Sequence, residues 1–188
     1  ARGEDHYAKV FITLADAYNG TTRTVKLKAP HVDDTGHVTL SERTLNVKIP
    51  KGVTEGQHIR LSGQGSPGLG QGPGGDLYLE VHFHTDSRYR VDGRDVYLDV
   101  PLAPWEAALG AKIKIPTPSG SVALKTPAGA TAGRKLRLKG KGIPGKPAGD
   151  FFAVMQISLP PADNDEAKMI YEHMAEKLDF DPRATLGV

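Results

Sequence analysis

Cysteine is absent from all 188 residues, which excludes disulfides and thiolate metal sites and fits a reducing compartment. Aromatic residues are scarce, 6% with a single tryptophan, so whatever core forms is thin. Long hydrophobic runs are missing as well. The longest apolar segments, Leu77–Phe83 and Phe151–Leu159, have strand length, so neither a signal peptide nor a membrane span is expected and the chain reads as soluble and cytoplasmic. Net charge is only +2, but acids are lacking from one long stretch. Between Glu106 and Asp150 stand Lys112, Lys114, Lys125, Arg134, Lys135, Arg137, Lys139, Lys141 and Lys146, with no carboxylate among them. The tail compensates with Asp163, Asp165, Glu166, Glu172, Glu176, Asp179 and Asp181. Such a basic stretch is either a solvated surface or a footprint for nucleic acid or an acidic partner.

Glycine and proline, by contrast, are abundant at 22 and 14, and they recur in register. PKGVTEGQHIRLSGQGSPG at Pro50–Gly68 returns as PAGATAGRKLRLKGKGIPG at Pro127–Gly145, and Gly75-Asp76-Leu77 returns as Gly149-Asp150-Phe151. Short helical turns ending at Gly20 and Gly110 also correspond. Repetition at this spacing makes the chain a tandem of related modules. Period-two alternation predicts strands at Ala8-Val10-Ile12-Leu14, Arg23-Val25-Leu27 and Leu45-Val47-Ile49, with counterparts in the second half. The predicted class is mainly β: two small, internally repeated, β-sandwich-like modules, residues 1–90 and 91–161, each with a short helix, followed by a C-terminal α-helix and tail at 162–188. The polar stretch Lys28–Arg43 reads as a connection or a weak hairpin. Asp163–Leu178 reads as a helix capped by Asp163 with Glu166 three residues on. Its stripe of Ala167, Ile170, Met174 and Leu178 requires a partner, either the chain's own module or a second subunit.

Both glycine loops, Gly63–Gly68 and Gly140–Gly145, satisfy G-x-G-x-x-G. A dinucleotide site needs a helix to follow that motif. Here each loop carries a proline before its last glycine and runs on to a strand, so the glycines are expected to supply positive-φ turns. His82 and His84 share a strand face but lack an evident third ligand, and a polar surface is the expected reading. Serines, histidines and acids show no catalytic spacing. No enzyme, metal or cofactor is therefore expected, and a binding role is. Val10, Ile12, Val25 and Leu27 are either ordinary core or the floor of a shallow groove beside a sheet edge, suited to an extended peptide.

TLNVKIPKGVTEGQHIRLSGQGSPG, GGDLYLEVHFH, DVYLDVPLAPWEAALGAKIKIPTPSG and GRKLRLKGKGIPG together resemble the C-terminal substrate-binding region of DnaJ/Hsp40 co-chaperones. The lack of cysteine points to the type without a zinc finger. TLNVKIP, PWEAALGAK and FDPR are similar to its bacterial curved-DNA-binding branch, the CbpA type. The resemblance implies a client groove for unfolded polypeptide at Val10, Ile12, Arg23, Val25, Leu27 and Leu79. It also implies a homodimer through Ile170, Met174 and Leu178. Cooperation with Hsp70 is implied only where a J domain, which these residues do not contain, is attached. The alternative it implies is sequence-tolerant DNA binding in the nucleoid, for which phosphate contacts are expected from Lys112, Lys114, Arg134, Lys135, Arg137, Lys139 and Lys141.

Overall fold

The structure, a computed structural model, describes residues 1–70 and 72–188, with strand residues 29–32 described by their backbone alone. The chain runs β1 (His6–Ile12), α1 (Leu14–Asn19), β2 (Thr21–Val32), β3 (Val38–Ile49), β4 (His58–Leu61) and β5 (Leu77–Phe83). It continues with β6 (Tyr89–Asp92), β7 (Asp95–Leu102), α2 (Pro104–Leu109), β8 (Ala111–Thr117), β9 (Gly120–Thr126), β10 (Lys135–Leu138) and β11 (Phe151–Ile157), then α3 (Asp165–Lys177). The first sheet has the order β1-β5-β4, with β1 parallel and β4 antiparallel to β5. The second repeats that arrangement as β7-β11-β10 and adds β6 antiparallel to β7. In each half a two-stranded hairpin, β2-β3 or β8-β9, forms a separate sheet.

Alternation explains the packing. Val47 and Ile49 of β3 are fully buried while the alternate residues Asn46 and Lys48 face water. With Val10, Ile12, Ala17, Val53, Leu77, Leu79 and Val81 they form the first core. The second core gathers Val96, Val100, Leu102, Ile115, Leu124, Ile143, Phe151 and Met155, and it also takes Leu14 and Tyr18 from α1. The mainly β class with short helices and a terminal helix is therefore borne out.

Lys28–Arg43 turns out to be regular structure: it forms the outer halves of β2 and β3, with Lys28 opposite Glu42, closed by a turn at Asp33–His37. There Asp33 accepts hydrogen bonds from the Thr35 and His37 amides, both at 2.9 Å. Residues 38–42 are exposed on both faces, so no alternation marks that strand. The terminal helix also begins later than expected. Asn164, not Asp163, is its cap, accepting from the Ala167 amide at 2.8 Å, so Glu166 completes no capping box.

The repeat extends to individual hydrogen bonds. Asp76 accepts from the Gly63 amide and the Arg60 guanidinium, both at 2.9 Å, and its own amide donates to Asp5. Asp150 accepts from the Gly140 amide at 2.8 Å and from Arg137 at 2.7 Å, and its amide donates to Asp95. In both carboxylates the amide bond from the glycine and the arginine beside it hold the pKa below the usual range. Each brace ties a glycine loop to the two strands that flank it. The positive-φ expectation holds for the first glycine of each G-x-G-x-x-G, Gly63 and Gly140, both at 73°. The second glycines serve close approach instead: a Cβ on Gly65 would lie 2.4 Å from the Glu4 carbonyl, and one on Gly142 2.4 Å from the Arg94 carbonyl.

Candidate polypeptide and nucleic-acid interfaces

β1 and β5 place Val10, Ile12 and Leu79 side by side with their side chains in the first core, at 6%, 0% and 0% exposure. β2 lays Val25 and Leu27 against them, each half-buried. The five apolar residues of the predicted groove are thus brought together, three inside the first core and two half-buried against it. Arg23 comes near by another route. Thr13 caps α1 and exchanges hydrogen bonds with Asp16 at 3.0 and 3.1 Å, and Arg23 closes on the same carboxylate at 2.6 Å. Burial pulls the Asp16 pKa upward, but the Thr13 amide and the Arg23 guanidinium outweigh it and leave the carboxyl below its ordinary value. Arg23 is therefore a half-exposed charge held near the start of β2.

The seven basic residues predicted for phosphate contact are all exposed, but they fall into two sets. Lys112 and Lys114 lie on the outer face of β8, where Lys125 of β9 stands directly opposite Lys112. Lys135 and Arg137 lie on the outer face of β10, and Arg134, Lys139 and Lys141 flank that strand. The hairpin and the sheet cover opposite sides of one core, so the sets point in opposite directions. Arg137 is committed to Asp150, and the Lys135 ammonium lies 5.5 Å from the centre of the Tyr97 ring. Among the described residues, the hairpin lysines have no carboxylate within ion-pair distance.

His82 and His84 flank the Phe11 ring, each at 5.7 Å, and His82 Nδ1 lies 2.8 Å from Glu55. Glu55 also accepts from the Phe83 amide at 2.7 Å, which makes this a structural polar cluster. Ile170 and Met174 of α3 and Leu178, which ends it, are exposed at 61%, 43% and 57%. No residue of that helix is buried.

Sequence reasoning missed the joint between the halves. Arg94 donates from one nitrogen to the Gly52 carbonyl at 2.9 Å and to the Pro144 carbonyl, so it links the turn between β3 and β4 to the second glycine loop. The Tyr18 hydroxyl donates to the Lys141 carbonyl at 2.9 Å, and burial pushes its pKa upward. Beside the joint lies a cleft of about 690 Å³, lined by Leu14, Phe83, Tyr89 and Val91 with Glu55 and Arg94. The available signal was a divergence within the repeat: Arg94 stands where the first copy has Glu4.

Known proteins resemble the chain along nearly its whole length. A "Curved DNA-binding protein" of Coxiella burnetii is 53% identical over 186 residues, covering 98% of this chain and 59% of that protein. One of Escherichia fergusonii is 42% identical over 189 residues, covering 99% and 62%, and one of Salmonella arizonae is 41% identical over 190, covering 100% and 62%. The chain thus spans about three fifths of the length of these relatives. Residues 7–160, from β1 to the end of the second sheet, match the family described as "DnaJ C terminal domain", and the chain belongs to that family.

Proposed function

We propose that this chain holds unfolded or extended polypeptide in the groove of its first half, without catalysis, and that in the whole protein it serves an Hsp70 partner through an attached J domain. One observation carries this reading: Val25 and Leu27 stay half-exposed on β2 beside the buried apolar residues Val10, Ile12 and Leu79. An extended segment there gains main-chain hydrogen bonds from a strand edge and apolar contact from Val25 and Leu27, with little demand on its sequence. Arg23 adds a charge at one end. Replacing Val25 and Leu27 together by serine is expected to abolish protection of a denatured reporter protein from aggregation. Protection at the original level, with the variant folded by circular dichroism, refutes the groove.

The exposed stripe of α3 supports a homodimer through Ile170, Met174 and Leu178, which would place two grooves on one long client and raise its apparent affinity by effective concentration. Sedimentation of the chain with and without residues 163–188 tests this, and a monomer in both refutes it.

A second reading, sequence-tolerant DNA binding in the nucleoid, is favoured by the acid-free stretch and by the name its relatives carry. The hairpin set of Lys112 and Lys114 is the better candidate for phosphate, since Arg137 of the other set is already paired. Arg134, Lys135, Lys139 and Lys141 form the second candidate surface. Affinity for a duplex should fall steeply with salt, by a log–log slope of about 0.9 for each phosphate contacted. A flat salt titration excludes it.

A further inference from the structure

Where the two halves meet, the surface is concave, and the cleft there measures about 690 Å³. Leu14, Glu55 and Phe83 line it from the first half, and Tyr89, Val91 and Asp92 from the second. Its floor is apolar. Leu14 and Tyr89 are buried members of the second core, and Phe83 and Val91 pack against that core. Phe83 also packs against the first core, so a molecule seated on this floor touches both halves. The volume falls within the range of roughly 300–1,000 Å³ that small-molecule sites occupy.

Two tyrosines lie buried in the second core, and they are treated differently. The Tyr18 hydroxyl donates to the Lys141 carbonyl at 2.9 Å. Tyr89 is 9% exposed, yet its hydroxyl bonds to none of the described residues, and it is not sealed off from the cleft that its ring lines. A buried hydroxyl left unpaired is costly, and a partner recovers that cost. Burial raises the Tyr89 pKa, so the phenol keeps its proton and can donate it. The rim is acidic. Glu55, Asp86 and Asp92 bring three carboxylates against the single guanidinium of Arg94, which is spent on the Gly52 and Pro144 carbonyls. Glu55 is engaged by His82 at 2.8 Å and Asp86 by Arg88 at 3.0 Å. Among the described residues, Asp92 has no cation within ion-pair distance.

We propose that this cleft is a binding site for a small aromatic amine. The ring of such a molecule rests on Leu14, Phe83 and Val91, its ammonium pairs with Asp92, and a hydroxyl on the ring accepts from Tyr89. Each part of the molecule answers a feature of the cleft: the ring its floor, the charge its one unpaired carboxylate, the acceptor its one unpaired hydroxyl. An anion of the same shape meets an acidic rim and is turned away. All three features lie within one cavity of single-molecule size, so no extended chain is needed to reach them. Because the floor draws on both cores, an occupant favours the joined arrangement of the halves and stabilises the chain by mass action. The cleft shares no residue with the groove of the first half, so it stands independently of polypeptide holding there.

The probe is tyramine, titrated into the isotope-labelled full chain. It is expected to shift the amides of Phe83, His84, Val91 and Gly93 saturably and to raise the midpoint of thermal unfolding. The charge-reversed analogue 3-(4-hydroxyphenyl)propionate should bind about tenfold more weakly or worse, and Asp92→Asn should weaken tyramine about three- to tenfold. Tyr89→Phe removes a hydroxyl that makes no bond within the chain, so the variant should fold with stability unchanged or raised. It is expected to weaken tyramine about fivefold and to leave phenethylamine, which lacks the ring hydroxyl, within about twofold. Silent cleft amides, shifts confined to the acidic tail beyond Asp163, or equal binding of the propionate overturns the site. Equal losses for both amines in Tyr89→Phe overturn the role of the hydroxyl. Tighter binding of the blocked dipeptide acetyl-Phe-Lys-amide than of tyramine gives the cleft to a polypeptide and overturns the small-amine assignment.

Discussion

The first half of the molecule is open where the second is closed. β1 is the last strand of its sheet and β7 lies inside its own; the first hairpin has strands of 12 residues and the second strands of 7. Arg23 sits on the capping carboxylate Asp16, whereas the corresponding pair in the second half is Ile113 and Glu106, and Glu106 bonds only the Ala103 amide, at 3.0 Å. The second half is also better filled: its core holds Phe151 and Met155 and borrows Leu14 and Tyr18, while the largest buried residues of the first are Ile12, Ile49 and Leu79. Two copies of one plan have thus diverged into a better-filled, closed half and a thinner, more open one.

Phe151→Ala strikes the closed half hardest. It removes the largest fully buried side chain and the support of Tyr89, and a loss of roughly 3–5 kcal/mol in urea unfolding is expected. A loss no greater than that of Ile12→Val, about 0.5–1.5 kcal/mol, would erase the distinction between the halves. Next comes Arg94→Ala, which leaves the Gly52 and Pro144 carbonyls without their charged donor. The expected cost is about 1.5–3 kcal/mol, with calorimetry resolving two transitions where the intact joint gives one. A single unshifted transition would mean that the shared core alone couples the halves. Tyr18→Phe tests the same joint more gently, at about 1 kcal/mol for the bond to Lys141.

Acid titration asks whether the duplicated braces are equivalent. Asp76 and Asp150 have folded pKa values below their unfolded ones, so their contribution is complete above about pH 4, the unfolded aspartate value, and is lost as pH falls through the folded values. Replacing either by asparagine should flatten the acid limb of the stability profile. Unequal flattening would show that one brace matters more.

Much of this was legible in the sequence because it rests on local chemistry. Glycines at tight turns, alternation on half-buried strands and the duplicated Gly-Asp pairs each leave a residue-level mark, and they gave the module plan and most strand positions. Three features left none. The outer half of β3 is exposed on both faces, so the alternation of Val38 and Leu40 with Thr39 and Ser41 marks no core face. β6 follows a polar loop and takes its place from Tyr89, whose burial depends on the second core. The basic residues formed one patch along the chain and two in space, because alternation sends Lys112 and Lys135 outward from opposite sheets. Of the predicted groove, the apolar set was legible as a cluster. That three members are buried in the core and two half-exposed depends on tertiary packing.

The length of the first hairpin has a further consequence. At about 3.3 Å per residue its strands reach about 40 Å, yet burial in β3 is confined to Val47 and Ile49 at the inner end. The arm thus carries a gradient of stability, from the full unfolding free energy at its root to almost none at its tip, because a lone two-stranded ribbon is marginal in water. Amide exchange should quicken steadily from Ile49 outward to Val38. A chain approaching the first half would meet a yielding element before a rigid one, and capture would become ordering of the arm, progressing inward toward β1.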